Sequence, residues 1–247
     1  MNAKKILRTT PVARSLRERA IALKSASSSP FDSIVKNITN YKINCVVDVG
    51  ANVGQFGLDI RRHGYKGELI SFEPVAETFE VLLRTIKNRQ PWKAFQLGLG
   101  SKESELDMNV SGNDGLSSSL LKMKNIHISN FPESGIISNQ KVRISTLDLE
   151  LNKLEIDPRL ILLKIDVQGY EAEVLMGASE SLKKIPLCYL EVSLQPLYEG
   201  EKTLLPILSF LSNLGHEVID VYRGVQASDG SLLQLDILTR LLNVPIP

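Results

Sequence analysis

The chain has 247 residues, of which 43% are hydrophobic and 23% are charged, and its formal net charge is +1 at pH 7. This length suits one α/β domain with an appendage and a full hydrophobic core. The balanced charge excludes a general electrostatic attraction to nucleic acid or membranes. No apolar run approaches the roughly 18 residues that span a bilayer, so we expect no transmembrane helix.

The N-terminal segment is much more basic than the rest. Residues 1–25 contain seven basic side chains and one acidic side chain, Glu18, a local charge of +6 that leaves −5 for the remainder. We expect a basic helical arm with a serine-rich linker over residues 1–40, followed by a single domain over residues 41–247. The arm lacks the apolar core of a signal peptide, which favours a cytoplasmic location. Peripheral membrane contact and an organelle transit peptide are alternatives for this arm.

Beyond the arm, strand-like and helix-like patterns alternate. The continuous apolar run Cys45–Val49 is typical of a central parallel strand, and Phe56 and Ile60 mark one face of the helix that follows. The next elements are expected as a strand at 68–72, a helix at 76–87, strands at 92–97 and 105–110, an irregular loop at 111–140 and a strand at 141–147. After these come a strand at 160–165, a helix from residue 171, a strand at 187–192, a helix at 202–214, and strands at 217–222 and 233–239.

This alternation predicts a doubly wound α/β sheet with right-handed crossovers and helices on both faces. Ligands bind such sheets outside the carboxyl ends of the strands. Four acids, Asp48, Glu73, Asp166 and Glu191, lie at predicted strand ends and are therefore expected to converge. The irregular loop is a candidate lid, because long irregular segments in a compact domain are usually functional or mobile.

The cysteines and histidines suggest structural roles. Cys45 and Cys188 lie in apolar strands, which favours buried thiols over a disulfide. His63 is expected to end a helix with Gly64 as its C-cap, and His216 is expected in a turn. His127 is expected as a solvated side chain of the irregular loop, with general base as the alternative.

The segment Asp48-Val-Gly50-Ala-Asn52-Val-Gly54 carries the main chemical signal. A dinucleotide fingerprint, G-x-G-x-x-G, seats a pyrophosphate on a helix N-terminus. Here Asn52 stands at the middle glycine of an acidic D-x-G-x-G-x-G loop, and the carboxylate in front repels phosphate but accepts hydrogen bonds from an ammonium group. Glu73, at the next strand end, is placed to accept both hydroxyls of a ribose. The pattern favours S-adenosylmethionine over NAD, and a tight turn without a ligand is the alternative for the glycines.

Four segments together resemble one protein family. VVDVGANVGQF, SFEPV, LLKIDVQGYEAEVLMGA and YLEVS with LYEGE resemble the FkbM family of S-adenosylmethionine-dependent methyltransferases, over about residues 44–240. The resemblance implies a class I, Rossmann-like methyltransferase fold with a seven-stranded sheet that ends in a reversed β-hairpin. It implies methylation of hydroxyl groups on sugars, glycans or natural products. It also implies that the cofactor's methionine end is lined by Asp48, Gly50, Asn52 and Gly54, its ribose is bound by Glu73, and its adenine lies near Leu97 and Gly98.

Transfer of a methyl group to an alcohol requires a base or a metal at the acceptor proton. Asp166 ends the central strand and is the first catalytic candidate, with a contact to the cofactor also expected. Lys164, two residues earlier on the same face, would tune Asp166. Gln168 is expected to hydrogen-bond the acceptor. Glu191 and Glu171 are further catalytic candidates, although Glu171 would also suit a helix N-terminus.

A metal has weaker support. No His/Cys/Asp/Glu cluster has the spacing of a structural metal site. Asp166 and Glu191 holding Mg²⁺ together with water is an alternative to general-base catalysis.

The leading hypothesis is therefore an S-adenosylmethionine-dependent O-methyltransferase with a small-molecule or glycan acceptor. A nicotinamide-dependent oxidoreductase is disfavoured by the missing glycine and by Asp48. A catalytically inactive cofactor-binding scaffold subunit would keep Asp48 and Glu73 but tolerate replacement of Asp166. A nucleic-acid methyltransferase would be motivated only by the basic arm, and it would need a basic cleft.

Overall fold

The structure, a computed structural model, describes residues 29–113 and 115–242. The basic segment of the expected arm, residues 1–25, lies outside the described residues. The helices are α1 (Pro30–Asn40), α2 (Gln55–Arg62), α3 (Ala76–Ile86), α4 (Asn125–Asn130), α5 (Leu147–Lys153), α6 (Glu171–Met176) and α7 (Leu204–Asn213), with 3₁₀ turns at Pro132–Ser134 and Pro158–Leu160. The strands are β1 (Cys45–Val49), β2 (Glu68–Phe72), β3 (Trp92–Phe95), β4 (Gly98–Leu99), β5 (Ser104–Ser111), β6 (Ile136–Ser145), β7 (Ile161–Ile165), β8 (Leu187–Ser193), β9 (His216–Arg223) and β10 (Gln234–Leu241).

The main sheet has seven strands in the order β3-β2-β1-β7-β8-β10-β9. The first five strands of this order pair in parallel, and β10 runs antiparallel to both β8 and β9. The doubly wound sheet closing in a reversed hairpin is thereby confirmed. A second sheet, in the order β4-β6-β5, lies beside it.

The central strands are apolar throughout because both faces of the sheet are covered. All five residues of β1 are buried. Cys45, Val47 and Val49 pack into one hydrophobic cluster, whereas Val46 packs into the other on the opposite face. This alternation is what strand geometry requires, and it explains why β1 reads as a continuous apolar run. Cys188 in β8 is likewise a buried free thiol.

Helix α1 belongs to the folded domain. Ser29 caps it by accepting a hydrogen bond from the Phe31 backbone N–H at 3.3 Å, and Pro30 occupies its first turn. Ile34 and Ile38 are 0% and 3% exposed and pack into the cluster that covers one face of the sheet. Helix α1, which lies within the expected arm and linker, therefore packs against the sheet, and the boundary at residue 41 stays a prediction.

The segment expected to be irregular, residues 111–140, is more ordered than predicted. It contains α4, and β6 begins at Ile136 and pairs antiparallel with β5. The first part of β6 is exposed, and its sequence, two isoleucines followed by three polar residues, carries no alternation of apolar and polar residues. Cross-strand hydrogen bonds hold it instead, for example from Asn139 Nδ2 to Asn109 Oδ1 at 2.9 Å. Within residues 29–113 and 115–242, no helix is long and apolar enough to cross a membrane.

Replacing Ile34 with alanine tests the place of α1 in the core. Because Ile34 is fully buried, we expect Ile34→Ala to lower the free energy of unfolding by about 2–4 kcal/mol. Urea denaturation followed by circular dichroism measures this change. Lys36→Ala on the exposed side of the same helix is the control and should change stability by less than about 0.5 kcal/mol. Equal effects of the two substitutions would show that α1 does not pack as described.

Candidate active site

A cavity of about 340 Å³ opens at the carboxyl ends of the central strands. Its wall on the sheet side includes Gly50, Asn52, Glu73, Asp166 and Glu191. The strand ends that the sequence singled out are therefore brought together at one site. Residues 97–99, including the predicted Leu97 and Gly98, form a further part of the wall.

The opposite wall comes from the turn that follows β5. Gly115, Leu116, Ser118 and Leu120 line the cavity. The turn is held by its own hydrogen bonds, such as that from the Ser111 backbone N–H to Ser118 Oγ at 3.1 Å. Part of the segment expected to act as a lid thus borders the cavity, and its closure stays a prediction.

The glycines of the β1–α2 turn serve different purposes. Gly50 has φ +74°, and a Cβ there would lie 1.9 Å from the Asp166 carbonyl oxygen, so only glycine fits where β1 and β7 converge. Gly50 also lines the cavity. Gly54 has φ +93° and is the N-cap residue before α2, but it is not among the lining residues. Its position therefore supports a role in the turn rather than the predicted contact with a cofactor.

Glu73 is held rigidly at the cavity wall. Its Oε2 accepts a hydrogen bond from the Asn52 backbone N–H, and its Oε1 accepts one from the Val75 backbone N–H, each at 2.9 Å. Burial raises the pKa of Glu73 to about 7 despite these bonds. Each carboxylate oxygen keeps a lone pair for a hydroxyl donor.

Asn52 shapes the turn that presents Glu73. It has φ +47°, in the left-handed region that asparagine tolerates better than most residues. Its Oδ1 accepts hydrogen bonds from the Val53 backbone N–H at 2.7 Å and from Gln55 Nε2 at 3.0 Å. These bonds explain why asparagine replaces the middle glycine of the motif.

Asp48 does not line the cavity, contrary to the prediction that it contacts the methionine end of the cofactor. Its side chain is fully buried, and its Oδ1 lies 2.9 Å from Lys164 Nζ. The two residues meet because they occupy paired positions on β1 and β7. Lys164 also donates to the Gly50 carbonyl at 2.9 Å, and it does line the cavity. Asp48 therefore acts on the site through Lys164.

The charge on Lys164 is maintained by its neighbours. Burial alone lowers the pKa of a lysine, but the charges of Asp48 and Asp166 raise the pKa of Lys164 above its usual range. The Asp166 Oδ2 atom lies 3.8 Å from Lys164 Nζ, which places the predicted tuning residue beside Asp166.

Carboxyl groups and side-chain amides are joined by hydrogen bonds at one part of the cavity lining. Gln168 Nε2 donates to Asp166 Oδ1 and to Glu191 Oε2, both at 2.9 Å. Gln234 Nε2 donates to the same Glu191 oxygen at 2.8 Å. Burial and the neighbouring carboxylates Asp166 and Asp236 raise the pKa of Glu191 well above its usual range.

Asp236 is a member of this group that sequence analysis missed. It lines the cavity from β10 and pairs in register with Glu191 on β8. Burial raises its pKa to about 6. The sequence does contain a signal for Asp236, because this acid lies inside the apolar segment LQLDILT. The same reasoning, that an acid in a buried strand needs a partner, identified Glu191.

Glu171 is a structural residue by its position. Its Oε1 accepts hydrogen bonds from the backbone N–H groups of Val167 at 3.0 Å and Gly169 at 3.2 Å, and it is not among the lining residues. A catalytic contact between Glu171 and the acceptor is therefore not supported. The side chain shapes the loop that carries Asp166 and Gln168.

The histidines are not where a base would be needed. His63 ends α2, with Gly64 in the left-handed region directly after it, as predicted. His216 begins β9 and is buried, whereas a turn was expected. His127 was expected to be solvated but is 2% exposed, because it packs between the rings of Phe131 and Tyr198.

The described residues give no support to the Mg²⁺ alternative. Within residues 29–113 and 115–242, no group of three or more His, Cys, Asp or Glu side chains is arranged to hold a metal ion. Asp166 and Glu191 are instead joined through the Gln168 amide.

The site fits S-adenosylmethionine. Glu73 offers a fixed buried carboxylate where a ribose diol needs an acceptor, and the Gly50–Asn52 turn beside it lines the cavity. The cavity carries five acidic residues and one lysine, which suits a ligand with a sulfonium and an ammonium group; the acids are Asp59, Glu73, Asp166, Glu191 and Asp236. The strand order and this site together define a class I S-adenosylmethionine-dependent methyltransferase.

The chain belongs to the FkbM methyltransferase family. The family model described as the methyltransferase FkbM domain matches residues 48–218, more than half of the chain. This match confirms the family that the four segments indicated, and it rules out the nicotinamide-dependent alternative.

The individual relatives described next share 29% or less of their aligned residues with this chain. The 2-O-methyltransferase NoeI of Sinorhizobium fredii is 29% identical over 190 residues, covering 73% of this chain and 76% of that protein. Methyltransferase 1 of Beauveria bassiana is 29% identical over 146 residues, covering 55% of this chain and 58% of its own length. The solved structure of magnesium protoporphyrin IX methyltransferase (ChlM) from Synechocystis with bound S-adenosylmethionine is 11% identical, with a TM-score of 0.45 and coverage of 85% of this chain and 77% of that chain.

Substitution of Glu171 tests its structural role. Burial raises its pKa to about 7, so its ionisation penalises the folded state progressively as the pH rises from 5 to 8. Glu171→Gln keeps an acceptor oxygen and removes this penalty. The difference in free energy of unfolding between Glu171→Gln and the parent should therefore change by about 2 kcal/mol in favour of the variant when the pH rises from 5 to 8. Urea denaturation at several pH values measures this difference.

Two further variants complete this test. Glu171→Ala removes the acceptor for two backbone N–H groups and should be less stable than the parent at every pH. Glu180→Gln, at a side chain that is 72% exposed, should show no pH-dependent gain. If the difference in free energy of unfolding between Glu171→Gln and the parent did not change with pH, ionisation of the buried Glu171 would not be what penalises the folded state.

Proposed function

We propose that this methyltransferase acts on oxygen, and that its acceptor is a hydroxyl group of a sugar, a glycan or a natural product. The observation that carries the proposal is the hydrogen-bonded group Asp166–Gln168–Glu191 in the cavity lining. An alcohol loses its proton on methylation, and a carboxylate beside the reacting oxygen is a suitable proton acceptor. The name of NoeI, a 2-O-methyltransferase, agrees with this chemistry.

Within this proposal, Glu73 would bind the ribose hydroxyls and the Gly50–Asn52 turn would border the rest of the cofactor. Bound S-adenosylmethionine supplies an electrophilic methyl group on a sulfonium. The chain's own residues position the acceptor, exclude water and receive the hydroxyl proton, which are the contributions that an in-line displacement requires.

Asp166 is the proposed proton acceptor. Its side chain is 37% exposed, so an acceptor entering the cavity can reach it. The hydrogen bond from Gln168 occupies its Oδ1, and Lys164 lies 3.8 Å from its Oδ2. Glu191 is the second acid of the group and would share the charge through the amide.

The charge of the cavity also bears on the acceptor class. The lining includes five acids, and its one lysine is paired with Asp48. Nucleic-acid binding depends on cationic contacts to phosphates, so this lining supports an uncharged or cationic acceptor over a nucleic acid.

Asp166→Asn tests the proposed base. Asparagine keeps the size of the side chain and an acceptor oxygen for Gln168, but it cannot take a proton at neutral pH. We expect kcat to fall by roughly 10²–10⁴-fold while the Kd for S-adenosylmethionine changes less than about threefold. Turnover is measured as transfer of a labelled methyl group to a panel of neutral glycans and hydroxylated natural products. Mass spectrometry of the products locates the methyl group, and calorimetry measures the binding of S-adenosylmethionine.

Asp157→Asn, at a surface acid paired with Arg159, is the matched control and should leave both quantities unchanged. Retained turnover of Asp166→Asn would remove Asp166 as the base. Methylation of nitrogen or carbon in every accepted compound would contradict the proposed O-methyltransferase activity.

A further inference from the structure

Both donors of the Gln168 side chain are used by its neighbours. Its two amide hydrogens are directed to Asp166 and Glu191, and its Oε1 accepts a hydrogen bond from the Tyr198 hydroxyl at 2.9 Å. The predicted hydrogen bond between Gln168 and the acceptor substrate stays a prediction, which the second lone pair of Oε1 could meet. Its function lies between the two carboxylates.

The orientation of the amide decides whether the two acids are bridged or repelled. With the nitrogen toward the acids, both carboxylates receive a hydrogen bond. With the amide rotated by 180°, its oxygen would face a carboxyl oxygen of Asp166 and one of Glu191 at about 2.9 Å, in place of two hydrogen bonds. The Tyr198 hydroxyl favours the first arrangement because it donates to the amide oxygen. Burial raises the pKa of Tyr198, and so do the neighbouring carboxyl groups Glu191, Glu171, Glu201 and Asp166, so this donor stays protonated.

Tyr198 is itself held firmly in place. Its side chain is 0% exposed, and its ring packs so closely on Gly169 that a Cβ at residue 169 would lie 2.8 Å from Tyr198 Cδ2. The Glu201 carboxylate accepts hydrogen bonds from the backbone N–H groups of Leu197 and Tyr198 at 2.6 and 3.0 Å. The hydroxyl is thus fixed relative to the loop that carries Gln168.

The turn at the cavity wall meets the same residues. Ser119 Oγ donates to the Gln168 carbonyl at 2.6 Å, and the Tyr198 hydroxyl lies 3.3 Å from the Ser117 carbonyl. Gln168 has φ +54°, a conformation that is uncommon outside glycine, and these contacts oppose its relaxation. Three separate chain segments therefore converge on one amide.

We propose that Tyr198 is a positioning residue for methyl transfer, whose hydroxyl holds the Gln168 amide in the orientation that bridges Asp166 and Glu191. The kinetic part of this inference rests on the proposed function, in which the acid pair receives the acceptor proton. Tyr198 does not line the cavity and acts on the acids through Gln168.

The effect should be greater on Asp166 than on Glu191. Glu191 keeps a second donor, Gln234 Nε2, at 2.8 Å. Among residues 29–113 and 115–242, Gln168 is the one side chain in hydrogen-bonding contact with Asp166. Other titratable and charged groups act electrostatically on the pair or on Tyr198, and they are Asp48, Lys164, Glu171, Tyr189, Glu201 and Asp236. None of them is altered by the substitutions below.

Tyr198→Phe removes the hydroxyl and keeps the ring that packs on Gly169. The bridge stabilises the ionised acids, so its loss should move the acidic limb of the kcat–pH profile upward by about one pH unit. We expect kcat at neutral pH to fall roughly tenfold, with the KM for S-adenosylmethionine changed less than about twofold. Tyr65→Phe removes a buried hydroxyl that donates to the Glu68 carbonyl away from the cavity, and this control should leave the profile unchanged.

A double-mutant cycle separates positioning from simple destabilisation. Gln168→Met removes the bridge itself and should shift the pH profile at least as far as Tyr198→Phe. If Tyr198 acts through Gln168, adding Tyr198→Phe to Gln168→Met should produce no further shift. A shift of the same size in both backgrounds, or no shift in Tyr198→Phe alone, would overturn the proposal.

Stability measurements test the inference without an acceptor. Because the amide favours the ionised acids, Tyr198→Phe should lower the urea midpoint more at pH 8 than at pH 5, whereas Tyr65→Phe should lower it equally at both. If no hydroxyl compound is methylated, the proposed O-methyltransferase activity fails while this comparison still decides the role of Tyr198. An equal loss at both pH values for Tyr198→Phe would contradict the bridging role.

Discussion

The ammonium group of Lys164 joins the two strand ends on which the cavity is built. It lies 2.9 Å from Asp48 Oδ1 on β1, donates to the Gly50 carbonyl at 2.9 Å and lies 3.8 Å from Asp166 Oδ2 after β7. A buried charge is tolerated only when it is paired and hydrogen-bonded. The buried ammonium group of Lys164 therefore needs both its carboxylate partner Asp48 and its hydrogen bond to the Gly50 carbonyl. The close approach of Gly50 to the Asp166 carbonyl brings the same two strand ends into register.

This arrangement divides the acids of the site into two groups. Asp48 pairs with Lys164, is fully buried and is not among the residues that line the cavity. Glu73, Asp166, Glu191 and Asp236 face the cavity and keep a net negative environment there. A cationic cofactor complements such an environment, and burial of its charge among carboxylates is favourable where burial of a phosphate would not be.

Asp166 and Glu191 require an organised hydrogen-bond donor between them because like charges close together repel each other. Gln168 supplies that donor, and the segments around Ser119 and Tyr198 hold it in an uncommon backbone conformation. Backbone strain persists at functional sites only where surrounding contacts determine it, and here they come from distant parts of the chain. The turn that forms the opposite wall of the cavity is therefore connected to Asp166 and Glu191 through the hydrogen bond from Ser119 to Gln168.

The sequence by itself determined the local features of this protein. Apolar runs and turn residues located the central strands, and the Asp48–Gly54 motif with Glu73 identified the carboxyl end of the sheet and its cofactor, because these signals depend only on neighbouring residues. Only the tertiary structure decided that Asp48 pairs with Lys164 rather than with a ligand, that Asp236 joins the acids, that His127 is buried and that Tyr198 reaches Gln168. Each of these outcomes depends on contacts between residues far apart in the chain, which periodicity and local composition do not encode.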